Sequence, residues 1–170
     1  AADVLAGKHV LAPAFLEALA VRPPPPGRLL VVSNLPYGAG TPILLGLLAL
    51  PRPPDLLVVM LQLEVAEKLL APPESAEYGV TSVAVALSAS GRILRRFGPE
   101  VFWPRPKVRS AVIRLVPLPE PVLRPDEPRA FGAFVTALFS HRRKVLTTAL
   151  RLAVERLAPA EAEAVLSACR

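Results

Sequence analysis

Two short apolar runs restrict this chain more than any other feature: GRLLVVS at residues 27–33 and LLVVMLQL at residues 56–63. Neither alternates polar with apolar positions, as a half-solvated strand would. Continuous runs of leucine and valine of this length read as strands buried on both faces, the pattern of parallel sheets covered by helices. Parallel neighbours need a crossover connection, and the intervening sequence supplies one. A turn over residues 34–40 leads into Thr41 and Pro42, which read as an N-cap and a proline at the first helical position. The apolar helix that follows runs to about Leu50, where Pro51 stops it. Met60, Leu61 and their apolar neighbours in the second run are expected in the core.

Other elements fall on either side. Phe15, Leu16 and Leu19 have helical spacing over residues 13–20, and four prolines at 23–26 end that helix. After the second run come a short helix over 64–70, a loop over 71–79 and a helix over 80–89, despite its valines. Strands over 91–97 and 111–116 follow, joined by a proline-rich loop that holds Phe102, Trp103, Arg105 and Lys107. Helix and strand alternate first, and a strand pair comes after. That order indicates an α/β sheet with an antiparallel end.

The composition then changes. Pro117, Pro119, Pro121, Pro125 and Pro128 form a linker, and only helical patterns occur beyond it. Phe131, Phe134, Val135, Leu138 and Phe139 make one apolar face, Val145, Leu146, Ala149 and Leu150 another, and residues 158–168 a third helix. A domain boundary is therefore expected near residue 120, with residues 1–120 as an α/β domain and 121–170 as a small all-helical one. The charge follows this division only loosely. The net charge is +6, but residues 91–151 carry thirteen Lys/Arg against four Asp/Glu, while residues 1–90 carry five against seven. A polyanion would bind the basic segment; on charge alone a solvated basic surface is an equal reading.

Several classes are excluded. The longest apolar stretches, 42–51 and 56–63, are too short to span a bilayer. No basic n-region precedes an apolar run at the start, so no signal peptide is expected. The single cysteine, Cys169, forms no internal disulfide framework, and with His9 and His141 far from it no metal site is expected. Both histidines are read as surface residues and Cys169 as inert.

The strongest chemical signal is Asn34, Leu35, Pro36 and Tyr37 at the carboxyl end of the first buried strand. Open α/β sheets place their ligands there. The tetrapeptide suits the exocyclic amine of adenine, a poor nucleophile because its lone pair is delocalised into the ring. The Asn34 amide oxygen and a backbone carbonyl near Leu35 or Pro36 could each accept one N–H and aim the nitrogen at an incoming electrophile. Tyr37 could stack on the purine. Positioning and local electrostatics would suffice without a strong base. Taken alone, the tetrapeptide is equally a strand-to-helix turn. Phe102 and Trp103 sit near Arg95, Arg96, Arg105, Lys107 and Arg109, a setting for an unstacked base beside phosphates. The alternative is a hydrophobic plug. Of the two aromatics, Phe102 is expected to stack on the base and Trp103 to pack or cover the site. Arg142, Arg143 and Lys144 are expected to start a helix and to face solvent or RNA.

Four blocks together resemble one family. SNLPYGAGTPILLGLL, QLEVAEKL at 62–69, FWPRPKVRSAV at 102–112 and FSHRRKVLTTAL at 139–150 are similar, in order and spacing, to the ribosomal RNA small-subunit adenine-N6 dimethyltransferases. The resemblance implies a Rossmann-like S-adenosylmethionine-dependent methyltransferase domain and a small helical RNA-contacting domain. It implies Asn34, Leu35, Pro36 and Tyr37 as the catalytic tetrapeptide, and Phe102 as the aromatic opposite Tyr37 around a flipped base. Asp3 would touch the adenine of S-adenosyl-L-methionine, with Asn34 also beside the cofactor. Arg105, Lys107, Arg142, Arg143 and Lys144 would contact RNA. The implied substrate is two adjacent adenosines near the 3′ end of small-subunit ribosomal RNA, each taking two methyl groups. The implied partner is the immature small ribosomal subunit, met by a cytoplasmic monomer with no membrane attachment.

The chain also departs from the family. Gly38 stands where a larger residue often follows the tyrosine, Leu63 replaces a usual lysine, and Arg109 a usual acidic residue or asparagine. The family's glycine-rich turn and its ribose-binding acidic residue should precede residue 1. The chain is therefore expected to be truncated at its start and also at its end, to bind the cofactor very weakly and to be inactive by itself. Two alternatives stay open: a large-subunit rRNA adenine methyltransferase of the macrolide-resistance type, and a non-catalytic RNA-binding ribosome-assembly factor.

Overall fold

A computed structural model describes residues 3–7, 10–20, 27–119 and 128–157 of the chain. The expected proline stop at 23–26, the linker around Pro121 and Pro125, the helix at 158–168, His9 and Cys169 lie outside the described residues. The chain divides into two compact units, Ala1–Pro121 and Val122–Arg170.

The first unit is built on a four-stranded sheet, β1 (Leu30–Asn34), β2 (Leu56–Gln62), β3 (Ala89–Phe97) and β4 (Ser110–Pro117), in the order β1-β2-β4-β3. β1 and β2 are parallel, with Leu30 opposite Leu56 and Asn34 opposite Met60. β4 runs antiparallel to both β2 and β3. Asp55 sets the start of the parallel pair: its carboxylate accepts from the Leu29 N–H at 2.6 Å, and its own N–H donates to the Leu29 carbonyl at 2.8 Å.

Helices α1 (Pro13–Ala20), α2 (Gly40–Leu48), α3 (Leu63–Leu69) and α4 (Val80–Ser88) connect the strands. Ile43, Leu44, Leu47 and Leu48 of α2 pack with Ala66 and Leu69 of α3, Val85 of α4, and Leu57, Val59, Leu61, Ile113 and Leu115 of the sheet. Ser82 fixes α4 to α3: its buried hydroxyl donates to the Lys68 carbonyl at 2.6 Å and accepts from the Gly79 N–H at 3.0 Å.

Only alternate residues of the apolar strands enter this core. Leu57, Val59 and Leu61 are buried, whereas Leu56, Val58 and Met60 are half-buried on the other face, which corrects the expectation that Met60 is core. On β1 the same face carries Leu30 and Val32, and Val32 is 78% exposed. The cap also differs from expectation. The N-cap of α2 is Ala39, so Thr41 and Pro42 fall within its first turn; Pro42 is tolerated there because no intrahelical partner exists for its missing N–H. Two expected linker prolines belong to elements: Pro117 ends β4 opposite Ala89, and Pro128 opens a helix.

The second unit contains α5 (Pro128–Ser140) and α6 (Leu146–Glu155), which pack on each other. Val135 and Ala137 of α5 and Ala149 and Ala153 of α6 are buried. The expected α6 face is only partly buried: Val145 and Leu146 are exposed, whereas Ala149, an expected member of that face, and Ala153, which is not one, are buried. Arg156 donates to the Ser140 hydroxyl at 3.0 Å and ties the end of α5 to the far end of α6. No helix among the described residues is long and apolar enough to cross a membrane.

The two sheet faces differ enough to be measured. Leu44→Ala, at a fully buried position, should cost about 2–5 kcal/mol in urea unfolding. Val32→Ala should cost less than about 0.5 kcal/mol. Equal costs would mean that the Val32 face is also packed.

Candidate functional site

β1 ends in a polar residue because the chain must leave the sheet there. Asn34 is its last residue and is exposed. Leu35 then anchors the turn: its side chain is buried, and its N–H donates to the Met60 carbonyl at 3.0 Å, continuing the parallel ladder by one step. The Pro36 carbonyl accepts from the Ala39 N–H at 3.2 Å and closes the turn. Gly38 has φ +85°, the left-handed region that a side chain resists. Tyr37 is 52% exposed. Asn34 and Tyr37 are thus offered to solvent by a turn held at both ends.

Strand register brings three further loops to this end of the sheet. Asn34 is opposite Met60, Gln62 is opposite Ser110, and Ser110 is opposite Phe97. The carboxyl ends of β1, β2 and β3 and the start of β4 therefore lie along one edge. At about 4.8 Å per strand, β4 starts about 10 Å across from Asn34. A 3-10 turn, Pro99–Val101, leads from β3 into the loop that carries Phe102. The half-buried Phe102 ring packs edge-to-face on Phe97, with centroids 6.3 Å apart. Trp103 is 97% exposed, so of its two expected roles, packing or covering the site, packing is ruled out.

The basic residues nearby divide into two groups. The Arg95 guanidinium lies 5.3 Å from the Phe97 ring centroid, and Arg96 pairs with Glu67 at 3.7 Å. Arg105, Lys107 and Arg109 are exposed. Lys107 and Arg109 line a cleft of about 380 Å³ together with Gln62, Glu64 and Glu67. Sequence reasoning gave Gln62 and Glu64 no role; the available signal was a polar residue closing an otherwise apolar strand.

Asp3 is exposed, with one carboxylate oxygen accepting from the Leu5 N–H at 3.2 Å. It sits on a short turn-back in which Leu5 bridges to Leu11, and Leu11 packs against Gly46 of α2.

Arg142, Arg143 and Lys144 do not start a helix. They occupy the turn between α5 and α6, where the Lys144 N–H donates to the His141 carbonyl at 2.8 Å, and all three are exposed. His141 is half-buried, and its Nε2 is buried without a hydrogen-bond partner among the described residues, which corrects the surface reading.

The topology and the tetrapeptide can be set beside known proteins. The family model of ribosomal RNA adenine dimethylases matches residues 11–166. The chain belongs to this family. It is 42% identical over 120 residues to a ribosomal RNA small subunit methyltransferase A of Halothermothrix orenii, covering 71% of this chain and 40% of the relative. A protein of the same name from a Synechococcus strain is 43% identical over 148 residues, covering 85% of this chain and 53% of the relative. The chain thus spans about half the length of the curated relatives it matches. Among solved structures, a dimethyladenosine transferase from Plasmodium falciparum aligns with a TM-score of 0.66 at 24% identity, covering 72% of this chain and 45% of that one. The 23S rRNA methyltransferase ErmE aligns at 0.54 and 24% identity, covering 83% and 55%. These two likenesses show the Rossmann-like methyltransferase fold.

The left-handed glycine of the turn provides a test of how tightly the site is held. A Cβ at Gly38 would meet nothing within 4 Å, so Gly38→Ala pays only for its left-handed backbone, about 1 kcal/mol. Urea unfolding checks this. No loss would mean that the turn relaxes and that Tyr37 is not held by it.

Proposed function

We propose that this chain forms the target-base and RNA-contacting part of an S-adenosylmethionine-dependent methyltransferase. It acts on N6 of two adjacent adenosines in small-subunit ribosomal RNA, during small-subunit maturation. The observation that carries this reading is Asn34: an exposed carboxamide at the carboxyl end of a parallel strand, followed by a turn whose next residue is buried. The names of the curated relatives favour the small subunit over the large one.

The chemistry follows from the turn. An adenine amine reacts only if its nitrogen is held with a lobe free. The Asn34 amide oxygen accepts one N–H. The Leu35 or the Pro36 carbonyl accepts the other; Pro36 already accepts from Ala39 but keeps a second lone pair. Tyr37 stacks on one face of the base. Phe102, braced by Phe97, supplies the second face. A flipped base held between aromatic rings is the general solution for chemistry on a nucleobase. The alkylated amine releases its proton to solvent, so no strong base is required.

The residues present fit part of the methyl donor. The exposed Asp3 carboxylate would accept from the adenine amine of S-adenosylmethionine, and Asn34 would lie at its reacting end. When bound, the cofactor supplies an electrophilic sulfonium methyl group. Arg105 and Lys107 would take phosphates beside the base, and Arg142, Arg143 and Lys144 would take others from the second unit.

Two measurements test the reading. In a full-length protein carrying this sequence, Asn34→Ala should lower kcat by about 10²–10³, the usual loss for a preorganised polar group, with RNA affinity unchanged. Near-normal turnover would remove Asn34 from the mechanism. A methylation map of both ribosomal RNAs in the same assay decides between the subunits. Replacing Arg142, Arg143 and Lys144 together with alanine should flatten the salt dependence of RNA binding. Each lost phosphate contact removes about 0.7–0.9 from the slope of log K against log salt, so two or three would remove about 1.4–2.7. The change should be independent of RNA sequence. An unchanged slope would make this turn a solvated surface.

A further inference from the structure

The cleft at the carboxyl end of β2 holds polar chemistry that the fold itself does not use. Gln62, Glu64, Lys107 and Arg109 are among the residues that line a space of about 380 Å³. Sites for small ligands run from about 300 to 1,000 Å³. Glu67, also in the lining, is paired with Arg96. The side chains of Gln62, Glu64, Lys107 and Arg109 have no hydrogen-bond or ion-pair partner among the described residues. Opposite charges share one cleft here without neutralising each other.

Its position relative to Asn34 is set by the strands. Asn34 is opposite Met60, and Met60 and Gln62 point to the same face of β2. Gln62 is therefore one strand across and two residues along from Asn34, a separation of about 8 Å at ordinary strand spacing. Neighbouring nucleotides of an unstacked strand can span such a distance. A carboxamide carries a donor and an acceptor side by side, which matches the paired groups on a base edge. Lys107 and Arg109 belong to the same lining and can attract a phosphate, which Glu64 would repel.

We propose that this cleft is the subsite for a nucleotide adjacent to the target adenosine in the RNA strand. The phosphate of that nucleotide sits on Lys107 and Arg109, and its base edge on the Gln62 carboxamide. The inference rests on the RNA-methyltransferase reading above and adds to it a residue that senses the sequence next to the target.

The test is RNA binding by the chain, measured by fluorescence anisotropy. The probe is a short single strand with a central adenosine, whose two neighbours are replaced in turn by an abasic residue. At one of the two positions, the loss of the base should weaken binding to the unaltered chain about fivefold to tenfold, the equivalent of one or two hydrogen bonds. Gln62→Leu should lose the same factor on the intact strand and no more on the abasic one. That non-additivity is what a direct contact produces. Arg109→Ala should lower the salt slope by about 0.7, one single-strand phosphate contact. If Gln62→Leu weakens intact and abasic strands equally, the residue is structural and the subsite is overturned while the RNA reading stands. The same holds if Arg109→Ala leaves the slope unchanged. If the unaltered chain binds no strand at all, the proposed function fails and this inference with it.

Discussion

The pairing of β2 on both sides is the constraint on which the rest of the first unit depends. It bonds parallel to β1 and antiparallel to β4, and so fixes the level at which three other segments leave the sheet. The Asp55 clamp sets its start against β1, and the Leu35 N–H continues that ladder at the other end. Slippage by one residue would turn Leu57, Val59 and Leu61 out of the core. The same slip would carry Asn34 away from the loops after β2 and β3. Core burial and site assembly are therefore one requirement, imposed by the same three side chains.

The sheet, its helices and the position of the tetrapeptide were legible in the sequence, because each rests on a strong local signal. The run at 56–63 has no alternation, and the prolines and glycines mark where elements stop. Details that depend on what lies across from an element were not legible. Met60 is as apolar as Leu61, and only the direction of the pleat separates them. Val145 and Leu146 look like a helix face, yet the buried positions of α6 are Ala149 and Ala153. The basic triplet reads as a helix start, but His141 and its neighbours close a turn first. At the site, Asn34 and Tyr37 could be found from their motif. The cleft around Gln62 could not, because it exists only when residues more than forty positions apart are brought level by the ladder between Gln62 and Ser110.

The site also illustrates how one short segment can combine rigidity with exposure. Leu35 is buried, and its neighbours Asn34, Pro36 and Tyr37 are exposed. The buried residue prevents the turn from moving, and Gly38 reverses the backbone so that α2 can begin at once. A reaction limited by the orientation of a weak nucleophile needs this arrangement more than it needs a charged group. Arg95 and Arg96 are held by Phe97 and Glu67, and the exposed Arg105, Lys107 and Arg109 follow in the loop.

Trp103 is the chain's only tryptophan and is almost completely wetted. It also lies one residue from Phe102, in the loop that faces the tetrapeptide's end of the sheet. Its indole therefore acts as an intrinsic optical label for that loop, with no second indole to obscure it. Emission from the free protein originates in water, and a partner that covers the loop changes it, by a shift to shorter wavelength on desolvation or by quenching when a base stacks on the ring. Occupancy of this edge can be followed by light alone, without a dye, a tag or turnover.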